Sequence, residues 1–259
     1  MMVFSFMGIS NNSLAILPKY INKKIGKAMH DYAMLDDGDR VLIAVSGGVD
    51  STVLAWLLKE WMKKAPIRYS LKAAYIDNGF WKEEYGGEAP AHRIELIMQD
   101  FGVEFIKIQS RRMEEEEASC FLCARNRRSQ LFDLCREWQM NKICFGHHMD
   151  DLIETLLLNM LYSGNISTMV PKQELFSGEL QIIRPMAYLE KKDVKRIAAL
   201  LNVKTVKSYC PLEKDTRRET TRSLLEEIYM REPGAKKSLF NSMSNVRNDY
   251  LLKKVLDGA

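Results

Sequence analysis

The stretch VLIAVSGGVDSTVLAWLL, residues 41–58, commits the chain to alternating strands and helices before anything else is read. Its first five residues are all apolar, a run of the kind that makes a strand covered on both faces. Leu54, Leu57, Leu58 and Trp61 then recur at helical spacing. Between them lies Ser46-Gly47-Gly48-Val49-Asp50-Ser51, far more glycine and small polar character than a tight turn requires. Backbone N–H groups in a glycine turn, followed by a helix N-terminus, make an anion site. Gly47 and Gly48 would let the backbone approach a phosphate with no Cβ in the way. Ser46 and Ser51 add hydroxyls. The Asp50 carboxylate makes sense beside phosphates when a cation lies between them, and Mg²⁺ is the natural choice. The loop has neither the Gly-Lys-Ser/Thr ending of a Walker A loop nor the Gly-x-Gly-x-x-Gly of a dinucleotide fold.

The remaining pattern repeats this theme. Strands are expected at 41–45, 71–77, 103–108, 142–147 and 179–185, with helices at 91–102, 125–140 and 150–164. Alternation of this kind predicts an α/β fold: a doubly wound, mainly parallel five-stranded sheet with helices on both faces and appended helices at both ends. Three divisions are expected: a helical leader at 1–35, the domain of the phosphate loop at 36–190, and a basic, mostly helical segment at 191–259. No apolar run reaches the roughly 18 residues that span a bilayer, and MMVFSFMGIS lacks the basic start of a signal peptide. A leaderless chain with an odd count of five cysteines points to reduced thiols, a cytoplasmic location, and metal or catalytic use of sulfur. No membrane partner is expected.

Three further motifs carry chemistry. In CFLCARNRR, Cys120 and Cys123 are spaced to share one metal or one cluster, beside Arg125, Arg127 and Arg128. Alone, that spacing also serves half a zinc site, a redox pair or neither. Cys210, in SYCPLEKD, is the remaining candidate ligand, because Cys135 and Cys144 lie on apolar element faces and read as core. Three ligands with no obvious fourth suit a 4Fe-4S cluster with one open iron. In FGHHMDDLIET, His147, His148, Asp150 and Asp151 follow a strand and open a helix, so they should gather at the sheet edge that holds the glycine loop. The histidines could equally be packing or capping residues; Asp151 reads as functional. The glutamate run at 114–117 reads as a solvated face. Residues 190–222 hold ten Lys/Arg against five Asp/Glu. Lys191, Lys192, Lys195, Arg196, Arg217, Arg218 and Arg222 are candidates for contact with RNA phosphates.

Taken in this order, SGGVDS, CFLCARNRR, GHHMDDLIETLLLNMLYSG, IIRPMAYLEKKDV and the lone Cys210-Pro211 resemble the PP-loop ATP pyrophosphatases. Within them the chain is similar to the tRNA 2-thiolation enzymes of the TtcA/TtuA family, from about residue 25 to 250. The resemblance implies a Rossmann-like sheet and the following roles. Ser46, Gly47, Gly48 and Ser51 would hold the pyrophosphate of ATP, with Asp50 at the metal. Ala44, Val45, Ile76 and Gly146 would line the adenosine. Cys120, Cys123 and Cys210 would bind the 4Fe-4S cluster. Arg127 and Asp151, with Asp50, would be catalytic. Val49 stands where this subfamily usually has lysine, and Glu213 where many members carry another cysteine. The implied reaction adenylates a pyrimidine C2 carbonyl in tRNA, cytidine first among candidates, and then replaces its oxygen with sulfur. The implied partners are tRNA and a sulfur donor (cysteine desulfurase-derived or free sulfide); a homodimer is compatible with the sequence, which does not itself name the oligomeric state. Two other readings stay open: a PP-loop enzyme activating a different substrate for amine ligation or small-molecule thiolation, and a non-catalytic cluster-carrying RNA-binding protein. The intact Asp50, Asp151 and phosphate loop argue against the last.

Overall fold

A computed structural model of the chain describes residues 17–78, 90–111, 120–203, 205–206 and 216–252. The elements run in the order α1 (Lys19–Asp31), β1 (Arg40–Ala44), α2 (Val49–Met62), β2 (Ser70–Asp77), α3 (Pro90–Phe101), β3 (Glu104–Gln109), α4 (Cys120–Glu137) and β4 (Lys142–Cys144). Then come α5 (Met149–Leu158), which runs into a π-helical turn at Asn159–Ser163, β5 (Lys172–Leu175), β6 (Leu180–Ile183), α6 (Lys191–Leu200), α7 (Thr216–Arg231) and α8 (Ala235–Ser242).

The strands form one sheet in the order β3-β2-β1-β4-β6-β5. All neighbours are parallel except β5, which pairs antiparallel with β6. Six strands replace the five expected. The extra one, Lys-Gln-Glu-Leu, is a short edge strand rich in charge, and none of its four residues is buried. Charge protects a sheet edge from pairing with another chain, and it also erases the apolar alternation by which a strand is read.

Alternate residues of the strands feed two cores. Val41 and Ile43 of β1 pack with α1, α2, α3 and α6 through Ile21, Ile25, Leu54, Leu57, Ile94, Met98, Val194 and Ile197. Leu42 of the same strand faces the other way, against Leu131, Leu134 and Cys135 of α4. Residues 53–58 of α2 are all buried, so this helix is apolar all round and runs through the core rather than over it. Cutting Leu57 back to alanine would cost about 2–5 kcal/mol.

Two compact units result: Met1–Asp150 with Val170–Asp215, and Asp151–Met169 with Thr216–Ala259. Both are discontinuous in sequence, and the apolar stripes of α1 and α6 are buried in the same core as the sheet of the first unit. The first unit contains the whole sheet. The second contains most of α5, the π-helical turn, α7 and α8.

Candidate functional site

The sheet order reverses between β1 and β4: β2 and β3 lie on one side, β6 and β5 on the other. In an open parallel sheet, the crevice beyond the strand ends at such a reversal is where ligands bind. The loop 45–48 leaves β1 there and the loop 145–148 leaves β4 beside it.

The two loops fit together only because of glycine. A Cβ on Gly146 would lie 2.9 Å from the Asp50 carbonyl carbon and 3.0 Å from the Ser51 nitrogen. Gly146 therefore seats the second loop on the first turn of α2. Gly47 has φ +82°, and a Cβ there would come within 2.8 Å of Ile94. The N-terminus of α2 carries no side-chain cap, since Gly48 is its N-cap. Its first N–H groups are those a helix cannot satisfy internally, and the dipole favours an anion beside them.

The serines divide their work. Ser51 is buried, accepts from the Ser46 N–H at 3.1 Å and donates to the Gly48 carbonyl at 3.1 Å. Its hydroxyl thus shapes the loop. Thr52 adds a second clamp on the same carbonyl at 3.0 Å. Ser46 is exposed, with its hydroxyl 3.1 Å from that of Ser51. The Gly47 carbonyl accepts from the Val206 N–H at 3.0 Å, which ties Val206 to the loop.

Asp50 is the charged centre. The Lys191 ammonium, from the first residue of α6, lies 2.6 and 2.7 Å from its two oxygens. His148 is buried, with Nε2 3.8 Å from Asp50 Oδ1 and Nδ1 3.6 Å from Asp150 Oδ2. Asp150 accepts the Lys191 backbone N–H at 2.7 Å. His148 and Asp150 thus join the glycine loop as expected, while His147 is turned aside: it stacks on Phe145 and accepts from Arg184 Nε at 3.2 Å. Arg184 is itself buried and also donates to the Val170 carbonyl. Burial lowers its guanidinium pKa to about 10, with the Arg128 charge acting in the same direction.

Val45 and Ile76 have their side chains in the two cores, and Ala44 lies half-buried against the second of them. Arg127 is exposed on α4 and its charge is felt at Tyr75. Burial first, then the Asp77 charge, raises that phenol to about 12, and Arg127 opposes the rise. Asp151 is the third residue of α5 and belongs to the second unit. In that unit Arg222 grips Glu154 with both ends of its fork, at 3.0 and 3.1 Å. The Glu154 hydrogen bond raises the Arg222 pKa, and the Asp151 charge adds to it. Arg217 stacks over the Tyr162 ring at 5.2 Å. Lys191 and Arg222, both expected to face RNA, are thus engaged within the protein.

Cys123 is buried, and its sulfur accepts from Asn78 Nδ2 at 3.6 Å, at the end of β2. Cys120 opens α4, but its side chain and the whole of Cys210 lie outside the described residues. Among the described residues, no three His, Cys, Asp or Glu side chains converge on one point. A thiolate ligand benefits from an amide donor of this kind, so Cys123 suits a cluster. A partly exposed carboxylate on a glycine loop suits Mg²⁺. Cys135 and Cys144 are core: burial raises the Cys135 thiol to about 12 and pushes Cys144 well up. No described helix is long and apolar enough to cross a membrane.

Sequence reasoning missed Lys191 as a partner of Asp50, together with Arg184 and Asn78. Only the run of Lys191 straight after a strand–turn segment could have signalled the first; nothing local marks the others.

A PP-loop domain matches residues 17–228. A tRNA-cytidine(32) 2-sulfurtransferase of Geotalea uraniireducens is 32% identical over 90% of this chain and 94% of its own length. One of Citrifermentans bemidjiense is 34% identical over 91% and 94%, and one of Idiomarina loihiensis 33% over 93% and 81%. The fold is that of the U34-tRNA thiolase NcsA from Methanococcus maripaludis, a structure containing a [4Fe-4S] cluster, with TM-score 0.71 at 21% identity over 87% of this chain and 78% of that one. With the loop geometry above and identity sustained along almost the whole chain, this protein belongs to the PP-loop family and, within it, to the group of the tRNA-cytidine 2-sulfurtransferases.

Proposed function

We propose that the chain is an ATP-dependent, iron–sulfur-dependent tRNA sulfurtransferase that converts cytidine to 2-thiocytidine in the cytoplasm. The observation that carries the reading is end-to-end similarity to sulfurtransferases of that name in a chain whose glycine loop and Asp50 sit at the sheet's reversal point.

The C2 carbonyl oxygen attacks the α-phosphate of ATP, an O–P bond forms, and pyrophosphate leaves. Sulfide then adds to C2, the C–O bond breaks, and AMP carries the oxygen away. The loop N–H groups from Gly47 onward and the α2 N-terminus bind the departing pyrophosphate, with the Ser46 hydroxyl beside them. Ser51 and Thr52 keep the loop in shape for that purpose. Asp50 would hold Mg²⁺, which draws charge from the phosphates when bound. The backbone at Ala44, Val45, Ile76 and Gly146 borders the adenosine. Cys120, Cys123 and Cys210 would hold a 4Fe-4S cluster, which supplies the sulfur-handling chemistry when bound. Arg127 offers positive charge to the developing oxyanion, and Asp151 is the functional acid. Sulfur arrives as sulfide, free or released by a cysteine desulfurase.

The test is mass analysis of tRNA nucleosides after anaerobic incubation of iron-loaded protein with ATP, Mg²⁺, sulfide and unmodified tRNA. Appearance of 2-thiocytidine, with AMP and pyrophosphate formed in equal amounts, is expected. Pyrophosphate formation with no thiolated nucleoside would move the reading to another substrate.

A further inference from the structure

We infer that Lys191 is the cation of the phosphate loop: it neutralises Asp50 and carries positive charge to the nucleotide phosphates once Mg²⁺ engages that carboxylate. The inference rests on the proposed use of ATP, and it adds a phosphate-binding residue from a different part of the chain.

The loop itself presents a problem. Residues 46–52, Ser-Gly-Gly-Val-Asp-Ser-Thr, contain no lysine or arginine, so their only ionised side chain is the negative Asp50. A triphosphate brought to backbone donors beside a carboxylate is repelled unless positive charge is near. The Lys191 ammonium is that charge, 2.6 and 2.7 Å from the Asp50 oxygens although 141 residues away in sequence.

The surroundings fix the root of this side chain and leave its tip replaceable. The Lys191 N–H is held by Asp150 at 2.7 Å, and the Met149 N–H donates to the Leu189 carbonyl at 2.8 Å. Glu190 and Asp193 form a reciprocal capping box at the start of α6. Those acids have cations of their own: Lys192 pairs with Glu190 at 2.9 Å, and Lys24 with Asp193 at 2.8 Å. Lys191 is therefore directed to Asp50 by the helix start, not by competition from its neighbours. Both members of the pair remain about one-third exposed, 38% and 34%. A pair in that much water contributes little to stability. It can be exchanged at small cost for a pair with phosphate, and Asp50 would then be available to hold Mg²⁺. A lysine suits this better than an arginine fork, because it is a compact charge on a flexible stem.

The experiment is calorimetric titration of the iron-loaded protein with Mg·ATP and, separately, with AMP, in the absence of tRNA and sulfide so that no turnover occurs. Lys191→Met is expected to weaken Mg·ATP binding by about tenfold to a hundredfold, the worth of one charge-assisted contact. AMP binding by the same variant should stay within about twofold of wild type, since one phosphate needs less of the loop cation. Lys191→Arg should retain Mg·ATP binding within about fivefold, since the charge is kept while the stem differs. Unchanged or tighter Mg·ATP binding by Lys191→Met would overturn the inference and make Lys191 a plain lock on Asp50. Equal loss for ATP and AMP would also overturn it, by showing a general disturbance of the site. A wild-type protein that binds neither nucleotide would instead sink the ATP reading on which the inference stands.

Discussion

Two lysine–aspartate pairs occupy opposite edges of the same sheet, and they are built differently. At the amino edge, Lys142 is 2% exposed and donates to Asp39 at 2.9 Å, to the Met34 carbonyl at 2.9 Å and to Asp36 at 3.3 Å. Asp39 also accepts from the Asp36 N–H and from Asn141 Nδ2, each at 2.7 Å. Every strong demand of both charges is met, and nothing is left to offer a ligand. At the carboxyl edge, Lys191 and Asp50 hold each other at 2.6 and 2.7 Å, about one-third exposed, on a glycine loop, with His148 Nε2 farther off at 3.8 Å. Saturated and buried, a pair is structure; unsaturated and wet, at a strand reversal, it is a site. Burial and the number of donors separate the two, and residue type does not.

The comparison breaks most visibly at Lys142. Lys142→Ala leaves Asp39 charged and buried, so stability should fall by about 3–5 kcal/mol. Denaturant titration reads the loss, and a fall under about 1 kcal/mol, the level of an exposed pair, would erase the distinction. Next comes Asp50→Asn. Pyrophosphate release should drop at least about a hundredfold, while the melting temperature stays within a few degrees, because the exposed pair contributes little to the fold. Normal turnover by this variant would remove the carboxylate from the mechanism.

The cysteines limit the contrast, since Cys123 and Cys135 are both buried and what sets Cys123 apart is the amide donor Asn78 at its sulfur. Cys123→Ala should lose iron and thiolation while ATP-dependent adenylation survives. Cys135→Ala should keep its iron and cost about 1–2 kcal/mol through the cavity it leaves. Iron assay and thermal melts on the anaerobic proteins decide. Burial has raised the Cys135 thiol to about 12, above the roughly 8.5 of an unfolded chain. The folded state therefore keeps a proton that the unfolded chain gives up. Stability from this source is full below the unfolded thiol range and declines as pH rises through it toward 12. Melting temperature followed from pH 8 to 10 should fall less in Cys135→Ala than in wild type. The smallest effect is expected at Arg222. Its side chain is 52% exposed and its fork is spent on Glu154. Arg222→Ala should cost under about 1 kcal/mol and leave the salt dependence of tRNA binding unchanged. A flattened salt slope would return Arg222 to the RNA surface.

Much of the fold was legible because its signals are local. The apolar runs at β1, β2, β4 and β6 and the helical stripes between them mark a doubly wound sheet, and the glycine loop marks its ligand edge. β5 was not legible, because an edge strand is kept polar for reasons that concern neighbouring molecules. Ser46, Asp50, Asp150 and His148 could be placed near one another from their positions just after strands. The division of labour between Ser46 and Ser51 could not, since it depends on which hydroxyl turns inward. Lys191 was read as one basic residue among many in a basic stretch. Its pairing with Asp50 spans 141 residues and depends on how α6 packs against α2. The pairing of Arg222 with Glu154 was out of reach for the same reason: charge composition counts cations without showing which are already paired.

The sequence by itself determined the alternation of elements, the phosphate loop, and the sulfur ligand candidates at Cys120 and Cys123, because each is specified by residues within a few positions of one another. Only the tertiary structure decided which charges are neutralised and by whom, that Gly146 is needed to seat one loop on another, and that His148 rather than His147 faces Asp50. Those outcomes are set by distances between segments far apart in the chain, and electrostatics and close packing act through distance in space.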